Sequence, residues 1–427
     1  MMAVLQQLDK SGCGCDGDDR TRGLMPIDKA LAIGLDLTQA VTETETVPLS
    51  QALGRVLAKS VLTQAMTPPF DNSGMDGYAI RVADLAGRGP WSLPVSDRVA
   101  AGDDRAVVLS SGSVMRIFTG APVPEGADAV IMQERVALNE GMIEFSHLPE
   151  LGQNIRRAGE DMPLGVEVLP RGRLIGARAI AAAASAGVGQ VTVFRKLRVA
   201  LLMTGGEVVP AGQVLSHGVI WDVNTPMMIA ALSAANIEII AVERVEDSLE
   251  EMTKAVFRLS SQVDMIITTG GVSVGDEDHA HGALIGAGGK IAVAGVAIKP
   301  GKPITIGQIG KTIYVGLPGN PVSAFVTWSI FGASILAKLS GGTKRIDLRR
   351  HVIASKTLTH KTGRCEFRPA TIIGHRDNGI EVVDTLSAVH SARLGPLTNA
   401  DGLIMIPGDI EEIVKGDLLE FLPFGKS

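Results

Sequence analysis

Two ammonium groups on one stiff turn are the clearest piece of chemistry in this sequence. Lys299-Pro300-Gly301-Lys302-Pro303 carries two compact positive charges on a backbone that proline restrains. Loops of another kind flank it. Upstream, an apolar run at 263–267 breaks into Thr268-Thr269-Gly270-Gly271-Val272-Ser273-Val274-Gly275-Asp276-Glu277-Asp278. Downstream, Val315-Gly316-Leu317 runs into Pro318-Gly319-Asn320-Pro321-Val322-Ser323, with Asn320 placed to cap a helix and Pro321 at its first position. A buried strand that ends in glycines and then opens a helix turns its backbone N–H groups toward open space, where an anion can meet them. Fixed cations and N–H donors together, at the carboxyl ends of a parallel sheet, make a site for phosphate or another oxyanion.

The elements around these loops have the right texture. Strands are expected at 198–203, 237–242, 263–267 and 313–315, with helices at 224–235, 248–259 and 321–339, an alternation that predicts a mostly parallel sheet covered on both faces. Ser248 and Glu251 have the spacing of a capping box. Earlier in the chain a helical period runs through 26–41, a strand through 42–47 and a second short helix through 50–58. Residues 79–147 break into short β-type runs punctuated by Gly and Pro, and an Ala-rich helix follows at 176–186. Turn signals from Arg345 onward mark a terminal all-β unit. The expected architecture is α/β and multidomain: a disordered tail at 1–24, a mixed α+β linker domain at 25–70 and 150–195, a small inserted β domain at 71–149, a doubly wound α/β domain at 196–344 and a C-terminal β-barrel-like domain at 345–427.

Composition narrows the partners. A net charge of −6 with no basic stripe argues against nucleic acid. Cys13, Cys15 and Cys365 are too few and too scattered for a disulfide framework, which points to a reducing, cytoplasmic setting. No secretion signal is evident, and the longest apolar run considered, 179–188, falls short of membrane length.

Taken together, Asp71-Asn72-Ser73-Gly74-Met75-Asp76-Gly77-Tyr78-Ala79, Thr119-Gly120-Ala121-Pro122 and the three loops above resemble the molybdopterin molybdenumtransferase family, the MoeA-like group related to the E domain of gephyrin. The resemblance covers nearly everything after Leu24. It implies an elongated homodimer that takes adenylylated molybdopterin and molybdate, inserts the metal with Mg²⁺ present and releases AMP. It also implies an active site at the subunit interface, where Asp76 and Thr119 act in trans, and transient contact with the molybdopterin adenylyltransferase. Residues carried over as catalytic are Asp76, Thr119, Asp161, Glu207, Asp278 and Lys299. Gly270, Gly271, Ser273, Gly275, Lys299, Lys302, Gly319, Asn320, Ser323, Arg364, Arg368 and Ser391 would hold the substrate, and Asp278, Glu207 and Glu246 the Mg²⁺.

Bland readings stand beside several of these. Asp278 also suits a helix N-cap, and Asp161 a turn beside Arg156 and Arg157. Arg364, Glu366 and Arg368 share one face of a strand, so they either reach the oxyanion or form a charge row on an edge strand. His279 and His281, two apart on a helix, face different ways and read as exposed or locally bonded. The chain departs from the family at Gly206, where an Asp is usual, and at Gly295, where a basic residue is usual. Those losses keep open a non-catalytic molybdopterin-binding scaffold or carrier, and the α/β unit alone would also suit a molybdopterin adenylyltransferase.

Overall fold

The computed structural model describes residues 23–246, 248–270, 279–343, 349–385 and 392–425. Cys13 and Cys15 lie outside them. The chain opens with α1 (Ile27–Leu37), β1 (Thr44–Pro48), the 3-10 turn Leu49–Gln51 and β2 (Val61–Leu62). Next come β3 (Asn72–Ser73), β4 (Gly77–Ile80), β5 (Trp91–Val99), β6 (Val114–Ile117), β7 (Ala129–Met132), β8 (Ala137–Asn139) and β9 (Met142–Phe145), the last six forming one sheet ordered β7-β4-β6-β5-β9-β8. The return path is β10 (Ile155–Arg156), β11 (Glu167–Leu169), α2 (Ala177–Ser185) and β12 (Gln190–Phe194). Antiparallel pairs β1–β12, β2–β11 and β3–β10 stitch the two arms together around the inserted sheet. Ala179 and Ala183 bury the inner face of α2 against Leu57, Leu169 and Val191.

The helix expected at 50–58 does not form. Gly54 stands at φ +75, and its amide donates to the Ile175 carbonyl at 2.8 Å, as the Leu57 amide does to Arg173 at 3.0 Å. Backbone groups that would have closed helical turns are taken by the distant arm, so tertiary pairing overrides local propensity.

The α/β unit comprises β13 (Leu197–Met203), β14 (Val208–Val209), β15 (Ile220–Trp221), α3 (Asn224–Ala231), β16 (Ile237–Arg244), α4 (Leu249–Ser260), β17 (Met265–Thr269), α5 (His279–Gly286), β18 (Lys290–Ala294), β19 (Ile298–Lys299), β20 (Thr305–Ile309), β21 (Thr312–Leu317) and α6 (Pro321–Leu339). Its sheet is ordered β16-β13-β17-β21-β20-β18; the first four strands are parallel, and β20 runs antiparallel between β21 and β18. Along β13 the two-residue period sorts side chains between faces. Val199, Leu201 and Met203 pack with Met228 of α3 and Phe331 of α6, whereas Ala200 and Leu202 pack with Met252 of α4 and Leu284 of α5. The sheet is therefore doubly wound, as expected.

Three local expectations need correction. Ser248 precedes α4 without a side-chain cap, and Glu251 instead pairs with Lys254 at 2.9 Å, so no capping box forms. Asn320 occupies the N-cap of α6 through its backbone only. A run of membrane length does exist: α6 spans 19 residues and is apolar enough to cross a bilayer. It is the one such helix among the described residues, and two thirds of it lies buried in the α/β core, which accounts for its composition without a membrane. Its middle turn, Trp328–Gly332, is a π segment. α1, whose sequence falls in the linker, also docks here: Gly34 faces Ile335 and Ile306, and Lys338 Nζ donates to the Leu35 carbonyl at 2.6 Å.

The terminal unit contains β22 (Arg350–Ala354), β23 (Leu358–Thr359), β24 (Cys365–His375), β25 (Glu381–Thr385), β26 (Gly402–Ile406), β27 (Glu412–Ile413) and β28 (Leu418–Pro423). β24-β25-β22-β28-β26 returns to β24, closing a five-stranded barrel around Val352, Ile404, Leu419 and Phe421. β19 of the α/β unit adds to β24 in parallel, with Lys299 opposite Glu366.

Candidate functional site

The carboxyl ends of β13, β17 and β21 meet at glycines. Gly270 follows β17 at φ +87, where a Cβ would lie 2.7 Å from the Thr204 carbonyl oxygen at the end of β13. A Cβ on Gly319, after β21, would come within 3.5 Å of Gly270. Asn224 at the start of α3 donates to the Gly319 carbonyl at 2.7 Å. The lysine turn joins this group from the other side, for Gly301 packs its backbone against Thr327 of α6. The structure thus gathers Gly270, Gly319, Asn320 and the Lys299–Lys302 turn around the first turn of α6, while Ser323 is buried within that turn. Thr204 Oγ1 and Asn224 Oδ1, both beside these loops, are buried atoms with no hydrogen-bond partner among the described residues. Gly271, Ser273, Gly275, Asp278 and Ser391 lie outside the described residues.

Because Gly270 needs a left-handed backbone and has carbonyl and hydroxyl oxygens where a Cβ would go, Gly270→Ala should cost about 2 kcal/mol of stability. Chemical denaturation would report it, and turnover should fall about tenfold as the strand ends spread.

Carboxylates at this rim differ in availability. Asp222 accepts the Thr225 amide at 2.9 Å and its hydroxyl, and pairs with Arg244 at 3.1 Å, so its oxygens are committed. Glu207 and Glu246 are exposed and have no ion-pair partner among the described residues. No group of three His, Cys, Asp or Glu side chains gathers as a metal cage among those residues.

Lys299 is not a freely solvated loop residue. Its Nζ stands 3.1 Å from Oε1 of Glu366, whose side chain is fully buried, while Lys299 keeps 36% of its own side chain exposed. Arg368 Nη2 donates to the other Glu366 oxygen at 3.0 Å and to the Thr359 carbonyl at 2.7 Å. Burial alone would raise the Glu366 carboxyl, but Arg368 and then Lys299 outweigh it and hold it below the usual carboxylate range. Arg368 is therefore an inward residue of a closed barrel, and the edge-strand reading of the charge row does not hold. Arg364 is half-buried and Lys302 half-exposed. His281 is bonded, though not locally: its Nε2 lies 2.5 Å from Thr305 Oγ1 on β20, 24 residues on.

On the inserted sheet, Asp76 and Thr119 meet across 43 residues of sequence: Oδ1 of Asp76 accepts both the Thr119 amide and hydroxyl at 2.8 Å. Those bonds, the amide first, hold the Asp76 carboxyl below its ordinary range. Arg116 supports the same loop by donating to the Gly77 carbonyl and to Gln133, while its guanidinium lies 5.0 Å from the Tyr78 ring and 4.9 Å from Phe118. Among the described residues no hydrogen bond or ion pair links this pair to the strand-end loops of the same chain. Asp161 is exposed in a turn whose amide bonds Thr67, beside the Arg157–Asp71 pair at 2.6 Å.

Sequence reading missed Asn224, Asp222, Arg116 and the inward role of Glu366. Only the Asp222-Val223-Asn224 run ahead of α3 carried a signal, that of capping residues at a helix start. The two family departures have different physical settings. At Gly206 a Cβ would have no described atom within 4 Å, so a side chain fits there without a clash among the described residues. Gly295 is at φ +81 with Leu24 3.2 Å from where a Cβ would stand, and its carbonyl accepts the Met25 amide, so a basic side chain would be strained.

Three family models match in succession: the MoeA N-terminal region, domains I and II, at 25–187; a probable molybdopterin binding domain at 200–338; and the MoeA C-terminal region, domain IV, at 351–424. The chain is 38% identical over 362 residues to the molybdopterin molybdenumtransferase of Haemophilus influenzae, covering 84% of this chain and 89% of that one. It is 34% identical over 383 residues to molybdopterin molybdenumtransferase 2 of Mycobacterium tuberculosis, covering 88% and 94%. The crystal structure of the molybdopterin biosynthesis moeA protein from Pyrococcus horikoshii superposes with a TM-score of 0.80 at 27% identity, over 94% of this chain and all of that one.

Proposed function

This chain belongs to the molybdopterin molybdenumtransferase family, and from that premise we propose how its site works. The protein inserts molybdenum into molybdopterin in cofactor biosynthesis. In our reading the substrate is adenylylated molybdopterin, molybdate supplies the metal and AMP leaves. One observation carries this: Gly270, Gly319 and the Lys299–Lys302 turn converge at the strand ends, where a tetrahedral dianion and a pyrophosphate need the same donors. Lys299 and Lys302 offset the charge of the anions, and the loop amides orient them.

The exposed carboxylates Glu207 and Glu246 fit a Mg²⁺ shared with substrate phosphates, since Mg²⁺ takes one or two carboxylates and keeps water rather than needing a protein cage. When bound, it would neutralise charge developing on the phosphoanhydride oxygens. Asp76, held ionised by Thr119, would be presented by the second subunit of a homodimer; the absence of any described contact between that pair and its own chain's loops supports this. The cytoplasmic setting and the hand-over from the adenylyltransferase belong to the same reading. Neither a non-catalytic scaffold nor ATP-dependent adenylylation is favoured, since relatives matched over most of the chain carry the molybdenumtransferase name.

Purified protein given adenylylated molybdopterin, molybdate and Mg²⁺ should release AMP only when molybdate is present, and should consume no ATP with bare molybdopterin. AMP release that ignores molybdate would sink the reaction, and release undiminished by a chelator would sink the Mg²⁺ requirement.

A further inference from the structure

We propose that Glu366 is a positioning residue: from the terminal barrel it fixes where the Lys299 ammonium stands at the substrate site of the α/β unit. This rests on Lys299 belonging to that site.

A lysine on a turn normally samples many rotamers, so its charge is spread over a volume. Here β19 lies against β24 in register, Lys299 opposite Glu366, and the Cys365 amide donates to the Ala297 carbonyl at 3.0 Å across the domain junction. The carboxylate is itself constrained. One oxygen is held by Arg368, which is anchored to the Thr359 carbonyl. His360 stands 3.6 Å away, its ring oriented by a 2.7 Å bond from Nδ1 to the Ile410 carbonyl. The other oxygen, Oε1, faces Lys299.

A pair serving only to weld two domains would bury both partners. Instead the acid is fully buried and the base keeps 36% of its side chain exposed, with donors left over for an incoming anion. An ammonium oriented before substrate arrives needs no reorganisation when charge develops, which is where such a group contributes most. Docking of the barrel thereby sets the geometry of a charge in another domain.

The test is a double-mutant cycle on kcat/KM for molybdate-dependent AMP release. Glu366→Gln should lower it about tenfold, chiefly through KM, and Lys299→Met about thirtyfold. If Glu366 acts through Lys299, the double variant should be no worse than Lys299→Met alone. Losses that multiply, to about three-hundredfold, would overturn the proposal. Glu366→Asp keeps the charge and should recover to within about threefold of wild type; should Glu366→Gln not fold, Glu366→Asp enters the cycle with the same criterion. A second readout is independent of turnover. Acylation of Lys299 by an amine-reactive ester, followed by peptide mass spectrometry against Lys302 as internal reference, should speed up in Glu366→Gln, and an unchanged rate would overturn the proposal. If Lys299→Met itself retains full kcat/KM, the placement of Lys299 in the site fails instead, and the two failures stay separate.

Discussion

Asp76→Asn is expected to lower molybdate-dependent AMP release by about two to three orders of magnitude while leaving the melting temperature unchanged. Asparagine keeps an oxygen where the Thr119 amide and hydroxyl donate, so the loop geometry survives and only the charge is removed. The side chain sits at the surface of the inserted sheet, and its stabilising contribution is correspondingly small. Because its folded pKa is depressed, that contribution is present above the unfolded value, near 3.9, and is lost only as pH falls through the folded one. The carboxylate is therefore ionised throughout the neutral range, and any acidic limb of the rate profile above about pH 5 belongs to another group. Mixing supplies the decisive form of the experiment. If the proposed homodimer shares its sites between subunits, Asp76→Asn and Lys299→Met, each nearly inactive, should together recover about a quarter of wild-type activity after subunit exchange, because half the dimers would be mixed and one of their two sites intact. No recovery on mixing would place Asp76 and Lys299 in the same subunit's site.

The parts of this molecule legible from sequence are those governed by short-range periods. The continuous apolar run of β13, the strand and helix alternation around it and the glycines after β17 and β21 announce a doubly wound sheet with donors at its strand ends, because each follows from the pattern of a few consecutive residues. Long-range pairing was not legible. Nothing near Gly54 announces that residues 173–175 will take its backbone bonds, and nothing near Lys299 announces a buried partner 67 positions later. The alternation put Glu366 and Arg368 on a shared face correctly, whereas Arg364 falls just before the strand; a period of two cannot say whether that face looks outward or into a closed barrel. Asp76 and Thr119 entered through family resemblance, and their contact is tertiary. The membrane-length apolar run of α6 is masked in the sequence by ends that read as a glycine turn and a helix stop. Burial of its length in the core is a property of the fold.

Asp264→Ala should cost about 2 to 3 kcal/mol of stability, the largest loss expected from a single side chain at a domain junction. Asp264, just before β17, accepts a fork from Arg195 at 2.6 and 2.8 Å and the Arg198 amide at 2.8 Å, with 13% of its side chain exposed. Arg195 follows β12 of the linker, so this one carboxylate ties the linker to the sheet whose strand ends at Gly270. Removing it leaves a largely buried guanidinium answered by the Lys196 carbonyl, 3.0 Å from Nη1, and by the exposed Glu43, 3.5 Å from its Nε, the one carboxylate still beside it among the described residues. That residual partner keeps the cost below the upper range for broken buried pairs. Burial alone would raise the Asp264 carboxyl, but Arg195 and the Arg198 amide outweigh it and leave it depressed. Its stabilisation is thus complete above the unfolded value and lost as pH drops through the folded one. The gap between wild type and Asp264→Asn, read by denaturant unfolding, should be full above about pH 5 and close progressively below about pH 4. A gap that widened on acidification would mean that Asp264 is protonated in the folded protein and that the Arg195 fork is not an ion pair. Turnover by the folded fraction of the variant should match wild type, because the pair holds the base of β17 while the donors lie at the opposite end of the strand.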